Sequence, residues 1–171
     1  MTSWFIIDTD SLNRGERGDR GGEGDSMGRR DANHVSGGVI RAAIKVHSAL
    51  GPGLLESAYH ACLGYELQRQ GLQRRAEVSM PITYDGVRID LAYRLDLLVE
   101  DLVVVEVKAR TKVLSIHQAQ LLSYLKLGGY PVGLLINFHV PYLRDGIKRL
   151  VNGLDPGTVS PLPPRSPRSP R

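Results

Sequence analysis

Residues 95–109 read LDLLVEDLVVVEVKA, so Asp96, Glu106 and Lys108 stand among leucines and valines. The β-branched run Val103–Val107 predicts a strand, because branched side chains pack well on a pleated surface and lose rotamer freedom in a helix. Side chains two apart on a strand share a face, so Glu106 and Lys108 point the same way. Charges set in so apolar a strand need a partner or a chemical task. Two carboxylates with a lysine beside them can hold a divalent metal and a water near a phosphate, the arrangement of metal-assisted phosphodiester hydrolysis. For Asp96 to join Glu106, the loop between their strands must be of odd length or carry a bulge, since an even loop puts them on opposite faces. A three-residue loop at Glu100-Asp101-Leu102 sets Asp96 directly across from Glu106.

The chain has 171 residues, 42% hydrophobic and 23% charged, which predicts one globular domain with a sizeable core. Its single cysteine, Cys62, excludes an internal disulfide and a cysteine-built zinc site, and fits a reducing cytoplasm. No apolar run reaches membrane-spanning length, and WFII at 4–7 is too short, and too soon followed by Asp8 and Asp10, for a signal peptide. Net charge is −2 over residues 1–33, +3 over 34–155 and +3 over 156–171. The basic excess of the central part is compatible with a nucleic-acid partner.

Residues 1–33 are glycine-rich and charged from Ser11 onward, with too little apolar surface to offset the entropy of ordering, so they read as a disordered extension. Met27 offers an alternative start just before the structured pattern. Residues 156–171, rich in proline, arginine and serine, read as an extended, solvated tail. Between them, over 34–155, lies the folded domain. Val39, Ile40, Ala43, Ile44 and His47 recur at helical spacing up to the stop Gly51-Pro52-Gly53, and a second helix runs from about Leu54 to Gln70. Strands at 77–84 and 87–98 meet at Asp85-Gly86, a favoured hairpin turn, with Pro81 marking the first as an edge strand. A third strand covers about 102–109. Ser115 and Gln118 form an S-x-x-Q capping box for a helix of about 116–127, closed by Gly128-Gly129. A buried strand at 131–138 and a short helix at about 141–151 complete an α/β sandwich with a mixed central sheet flanked by helices.

Adjacent carboxylates repel unless a positive charge stands between them, which a metal ion and Lys108 can supply. Magnesium fits best, with manganese as a substitute, because it takes oxygen ligands and keeps several waters. Lys108 can orient or help deprotonate the attacking water, or stabilise charge developing on the phosphate; the sequence does not separate these roles. Gln120 and Tyr124 lie one turn apart on one face of the following helix.

The series D-x9-E-x-K followed by Q-x-x-x-Y resembles the core signature of the PD-(D/E)XK nuclease superfamily in its RecB-like form. Gly53-Leu54-Leu55-Glu56-Ser57-Ala58-Tyr59 is similar to the motif of the small bacterial GxxExxY proteins. Further matches are Tyr93-Arg94-Leu95-Asp96 and Gly133-Leu134-Leu135-Ile136-Asn137-Phe138, and the resemblance spans about residues 38–152. It implies a restriction-endonuclease-like αβββαβ core. In that core Glu56, Asp96 and Glu106 serve the metal, Lys108 the water, and Gln120 with Tyr124 the substrate side of the cleft. Glu56 and Tyr59, one turn apart, can then be presented to one site.

Arg94, beside Asp96, and Lys112 are the basic residues expected to meet substrate. The five histidines lack zinc-hydrolase spacing, and no phosphate-binding loop motif exists. Cys62 lies on an apolar helical face as a packed thiol. The reading is a cytoplasmic, magnesium-dependent nuclease acting on DNA, with no membrane partner and with a homodimer or protein partner compatible. The alternative is a non-catalytic module that keeps the fold and binds nucleic acid or a protein.

Overall fold

A computed structural model describes residues 6–7 and 31–153. In chain order the elements are β1 (Ile6–Ile7), α1 (Ala32–Leu50), α2 (Glu56–Arg69), β2 (Arg74–Tyr84), β3 (Val87–Val99), β4 (Val103–Lys108), α3 (Ser115–Gly128), β5 (Val132–Asn137), a 3-10 turn at Leu143–Gly146 and β6 (Ile147–Val151). The six strands form one mixed sheet in the order β1-β6-β5-β4-β3-β2. The expected α/β architecture holds.

β4 and β5 are parallel and buried along their whole lengths, as the continuous apolar runs VVVEVK and VGLLIN require of strands covered on both faces. Alternation then distributes the side chains. Val103, Val105 and Val107 join α1 and α2 in one core with Tyr59, Leu63, Leu67 and Phe138. Val104 faces the other way and packs with Leu121, Tyr124 and Leu125 of α3. Each fully buried aliphatic side chain stabilises the fold by about 1.5–3 kcal/mol relative to exposure. Glu106 and Lys108 share the parity of Val104, so two charged side chains sit on a covered face.

The hairpin β2–β3 turns where expected, with Asp85 at φ 48° and Gly86 at φ 76°, the left-handed pair of a type I′ turn. β2 is an edge strand, and its register shifts between Met80 and Ile82 at Pro81, a residue that cannot donate to a ladder.

Three expectations are corrected. The helix anticipated at 141–151 is a 3-10 turn followed by strand β6. Leu143, Ile147 and Leu150 fit helical spacing, but β5 has a second open edge, and pairing from Ile136↔Ile147 to Val132↔Val151 satisfies it. The domain also starts earlier than residue 34, since α1 opens at Ala32, and the backbone of Ile6–Ile7 pairs with β6 inside the stretch read as disordered. The other residues of the two ends, 1–5, 8–30 and 154–171, lie outside the described residues. Finally, α3 opens one residue early, with Leu114 in the cap position, and the Nδ1 of His117, not Gln118, accepts the Leu114 N–H at 3.2 Å.

Among the described residues no helix is long and apolar enough to cross a membrane.

The turn into β6 depends on a glycine. A Cβ at Gly146 would lie 2.2 Å from the Asn137 carbonyl oxygen, which is main chain and cannot swing aside. Gly146→Ala is therefore expected to destabilise the domain by about 3 kcal/mol in urea melts, the upper end of overpacking costs. A change below about 0.5 kcal/mol would mean that this contact is not tight.

Candidate active site

The β3–β4 connection sets the geometry of the site. Glu100 and Asp101 adopt φ 52° and 55°, and Leu102 N–H donates to Val99 O at 3.0 Å. The register is Val99↔Val103, Leu98↔Val104 and Leu97↔Val105. This is the odd, three-residue loop the site needs. One rung further, Asp96 stands opposite Glu106, and its Oδ2 accepts the N–H of Val107 at 2.9 Å. From α2, His60 Nε2 donates to the Asp96 carbonyl at 2.9 Å, so both the side chain and the main chain of Asp96 are fixed.

Glu56 arrives from the first position of α2, where the helix dipole favours a carboxylate. Its Oε2 accepts the Ala109 N–H at 3.3 Å, just beyond the end of β4. Tyr59 does not share the site with it, contrary to expectation. Its ring is fully buried and stacked on Phe138 at 4.4 Å, and its hydroxyl donates to Gly51 O at 2.6 Å and accepts from Leu54 N–H at 3.1 Å. Tyr59 instead anchors the segment from which Glu56 springs.

Lys108 is the centre of the cluster. Its Nζ lies 2.7 Å from Glu106 Oε1, 3.0 Å from Val107 O, and 3.8 Å from both Glu56 Oε1 and Asp96 Oδ2. Burial raises the pKa of Glu106, and the charges of Asp96 and Glu56 add to this against the opposing hydrogen bond from Lys108. For Lys108, burial alone would lower the pKa, but the hydrogen bond to Glu106 and the three carboxylate charges outweigh it, and the net shift is upward. The local balance is one cation against three carboxylates.

On α3, Gln120 Nε2 donates to the Tyr124 hydroxyl. The Tyr124 ring is 2% exposed and meets Tyr93 edge-on at 5.2 Å. Burial raises the Tyr124 pKa, with Glu106 and Asp96 contributing, so the phenol stays protonated. Its body belongs to the core while its hydroxyl lies within the field of the carboxylates. Arg94 stands apart: it is exposed and forms an ion pair with Glu77 of β2 at 3.5 Å.

Two positioning residues carried no assigned role in the sequence. Asn137 pairs in register with Lys108; its Oδ1 accepts Arg110 N–H at 3.0 Å and its Nδ2 donates to Arg110 O at 2.8 Å. Phe138 N–H donates to Lys108 O at 2.8 Å, so the end of β4 is held from β5. The signal for Asn137 was a lone amide closing an apolar strand, and that for His60 was its place one helical turn after Glu56.

Among the described residues no group of three or more His, Cys, Asp or Glu side chains forms a ready-made metal centre; the three carboxylates surround an ammonium. The donor set nevertheless fits a hard cation. All the groups are oxygen donors, and Glu106 Oε2 is buried with no hydrogen-bond partner, an acceptor left for a ligand.

The family model of the PD-(D/E)XK nuclease superfamily matches residues 33–150, well over half of the chain. No curated protein matches, and no solved structure matches.

Two variants test the charge balance on chelator-treated protein. Lys108→Met leaves three carboxylates around an apolar end and is expected to cost roughly 3–5 kcal/mol at neutral pH. A loss under 1 kcal/mol would show that Lys108 does not hold the cluster. Glu106→Gln works in the opposite direction. Because the folded-state pKa of Glu106 is raised, its ionisation destabilises the fold as pH rises from the unfolded value of about 4.3 through the folded one. Relative to the parent, Glu106→Gln should therefore gain stability as pH rises above about 4; a loss over that rise would refute the assignment.

Proposed function

We propose that this chain, which belongs to the PD-(D/E)XK nuclease superfamily, is a divalent-metal-dependent nuclease that hydrolyses phosphodiester bonds in DNA. The observation that carries the reading is the position of the Lys108 ammonium within 3.8 Å of Asp96, Glu56 and Glu106 at the end of a buried strand. Structural ion pairs are rarely placed in so covered a position, because desolvation cancels most of their gain.

Asp96 and Glu106 would hold the metal, with Glu56 joining from α2, and magnesium is the first choice because two or three carboxylates with substrate phosphate suffice for it. When bound, the cation supplies Lewis-acid polarisation of the phosphate and a lowered pKa for water. The chain's own groups do the rest. Lys108, ringed by carboxylates, keeps its proton, which suits it to stabilising the charge that grows on the phosphate oxygens more than to accepting a proton. Asp96 is held from two sides, by Val107 N–H and by His60, so its carboxylate is oriented before substrate arrives. Gln120 points the neutral Tyr124 hydroxyl, a group able to donate to a phosphate or sugar oxygen. Arg94, exposed on β3, would meet backbone phosphate away from the scissile bond.

The GxxExxY subgroup is supported by Gly53, Glu56 and Tyr59, with Tyr59 as the anchor of the motif and Glu56 as its chemical member. A reducing, cytoplasmic setting is consistent with the single thiol of Cys62.

The test is incubation with covalently closed circular and linear DNA in magnesium, manganese or chelator. Cleavage is expected with either metal and none with chelator, and Lys108→Ala should lower the rate by about 100-fold or more. Metal-independent cleavage, or full activity in Lys108→Ala, would overturn the assignment, and no cleavage of any substrate would favour a binding module. Opening of the circles distinguishes an endonuclease from an exonuclease.

A further inference from the structure

The extended course of β4 does not stop at Lys108. The Lys108 carbonyl points to β5, where it accepts Phe138 N–H at 2.8 Å; Ala109 N–H points the other way, to Glu56 at 3.3 Å; and Arg110 N–H points to β5 again, to Asn137 Oδ1 at 3.0 Å. This alternation is that of a strand, so parity carries Arg110 to the face that Glu106 and Lys108 share, about 6–7 Å beyond Lys108 along the chain. The hold on Arg110 is complete. Asn137 is 3% exposed, and its amide is directed at both main-chain groups of one exposed residue: Oδ1 accepts the Arg110 N–H, and Nδ2 donates to the Arg110 carbonyl at 2.8 Å. A side-chain amide there reproduces one rung of a sheet ladder.

Water can satisfy the main chain of an exposed residue, so a buried amide directed at it does something water does not: it fixes where the side chain departs. The guanidinium itself is left available. Arg75, Arg88 and Arg94 on the neighbouring hairpin and its turn each pair with a carboxylate, of Asp101, Asp90 and Glu77 respectively, whereas Arg110 forms no ion pair among the described residues. Charge gives it a task. Three carboxylates against one ammonium repel an approaching phosphodiester, and an exposed cation on the same face attracts one. Resting on the nuclease reading, we infer that Arg110 grips the backbone phosphate next to the one attacked, through two parallel hydrogen bonds, and that Asn137 is the positioning residue that aims it. Arg110 then sets the register of the strand over Asp96 and Glu106.

The experiment measures binding by fluorescence anisotropy on the full-length Glu106→Gln chain with magnesium, using one labelled DNA oligonucleotide, single-stranded and as a duplex, over a range of salt concentrations. For the form bound more tightly, Arg110→Ala in this background should weaken binding about tenfold and lower the slope of log affinity against log salt by about one, the mark of one phosphate contact. Arg41→Ala removes an exposed cation from α1, on the other face of the sheet, and should change affinity by less than about twofold. Arg110→Lys should keep the salt slope and recover only part of the affinity, because an ammonium cannot make the paired contact. Asn137→Ala should weaken binding as much as Arg110→Ala does, and should cost nothing further when the two are combined. Unchanged binding in Arg110→Ala, or a loss matched by Arg41→Ala, would overturn the inference; full recovery by Arg110→Lys would overturn the paired grip, and additive losses the positioning role. Matching melting curves establish that the variants fold, and Asn137→Ser, whose hydroxyl is too short to reach both main-chain groups, takes the place of Asn137→Ala if that variant does not. Failures of the two readings separate. Cleavage by the otherwise unaltered chain with a KM that Arg110→Ala leaves unchanged retires the role of Arg110 alone; absence of cleavage with the binding losses intact retires the nuclease reading and leaves Arg110 as a phosphate contact of a binding module.

Discussion

The ion cluster around Lys108 Nζ is the constraint to which the rest of the domain answers. A buried ammonium and a buried carboxylate 2.7 Å apart would, as an isolated pair, recover little of their desolvation cost. Here the cost is carried by a strand whose other side chains are almost all apolar and covered on both faces. The cores on the two sides of the sheet thus support a site that does not stabilise itself. The supports are directional as well as energetic: Asn137 and Phe138 hold the end of β4, His60 holds the main chain of Asp96, and Tyr59 holds the approach to Glu56. Two come from the end of β5 and two from α2, and all four act through main-chain groups.

Much of this was legible in the sequence because it follows from parity and period. The β-branched run, the Asp85-Gly86 turn and the two-residue spacing of Glu106 and Lys108 are local signals that tertiary packing reinforced. The three-residue loop was legible for a different reason: it is what Asp96 needs in order to face Glu106. What escaped had local signals that favoured another outcome. Leu143, Ile147 and Leu150 spell a helix as readily as a strand, and only the open edge of β5 decides between them. Tyr59 lies one turn from Glu56, which suggested a shared site; the stack on Phe138, nearly eighty residues away in sequence, turned it inward.

Contacts between distant segments were the least legible. Arg149 is 7% exposed on β6, its Nη2 donates to Asn33 at the start of α1, and burial lowers its pKa. Nothing in the local sequence IKRLV distinguishes it from its solvent-facing neighbour Lys148. Asn137 is similar, since its role appears only once β4 and β5 are aligned. Single-sequence reasoning reaches the groups that do chemistry, whose types are restricted, more readily than the groups that position them, whose types are not.

The loop Glu100-Asp101-Leu102 illustrates what this means for the variation the chain can accept. Surface turns between strands usually tolerate gained or lost residues, because little packs on them. Here the two strands share a register that the turn fixes, and side chains alternate between faces with every residue. A one-residue shift of the β3–β4 register would carry Asp96, with every other side chain of β3, to the opposite face relative to Glu106, whereas a residue absorbed within a longer turn would leave the pairing in place. The pairing that this turn sets, as much as the identity of the residue, is therefore what keeps Asp96 opposite Glu106, and the two cores that sort Leu95 and Leu98 from Leu97 and Val99 hold the same register.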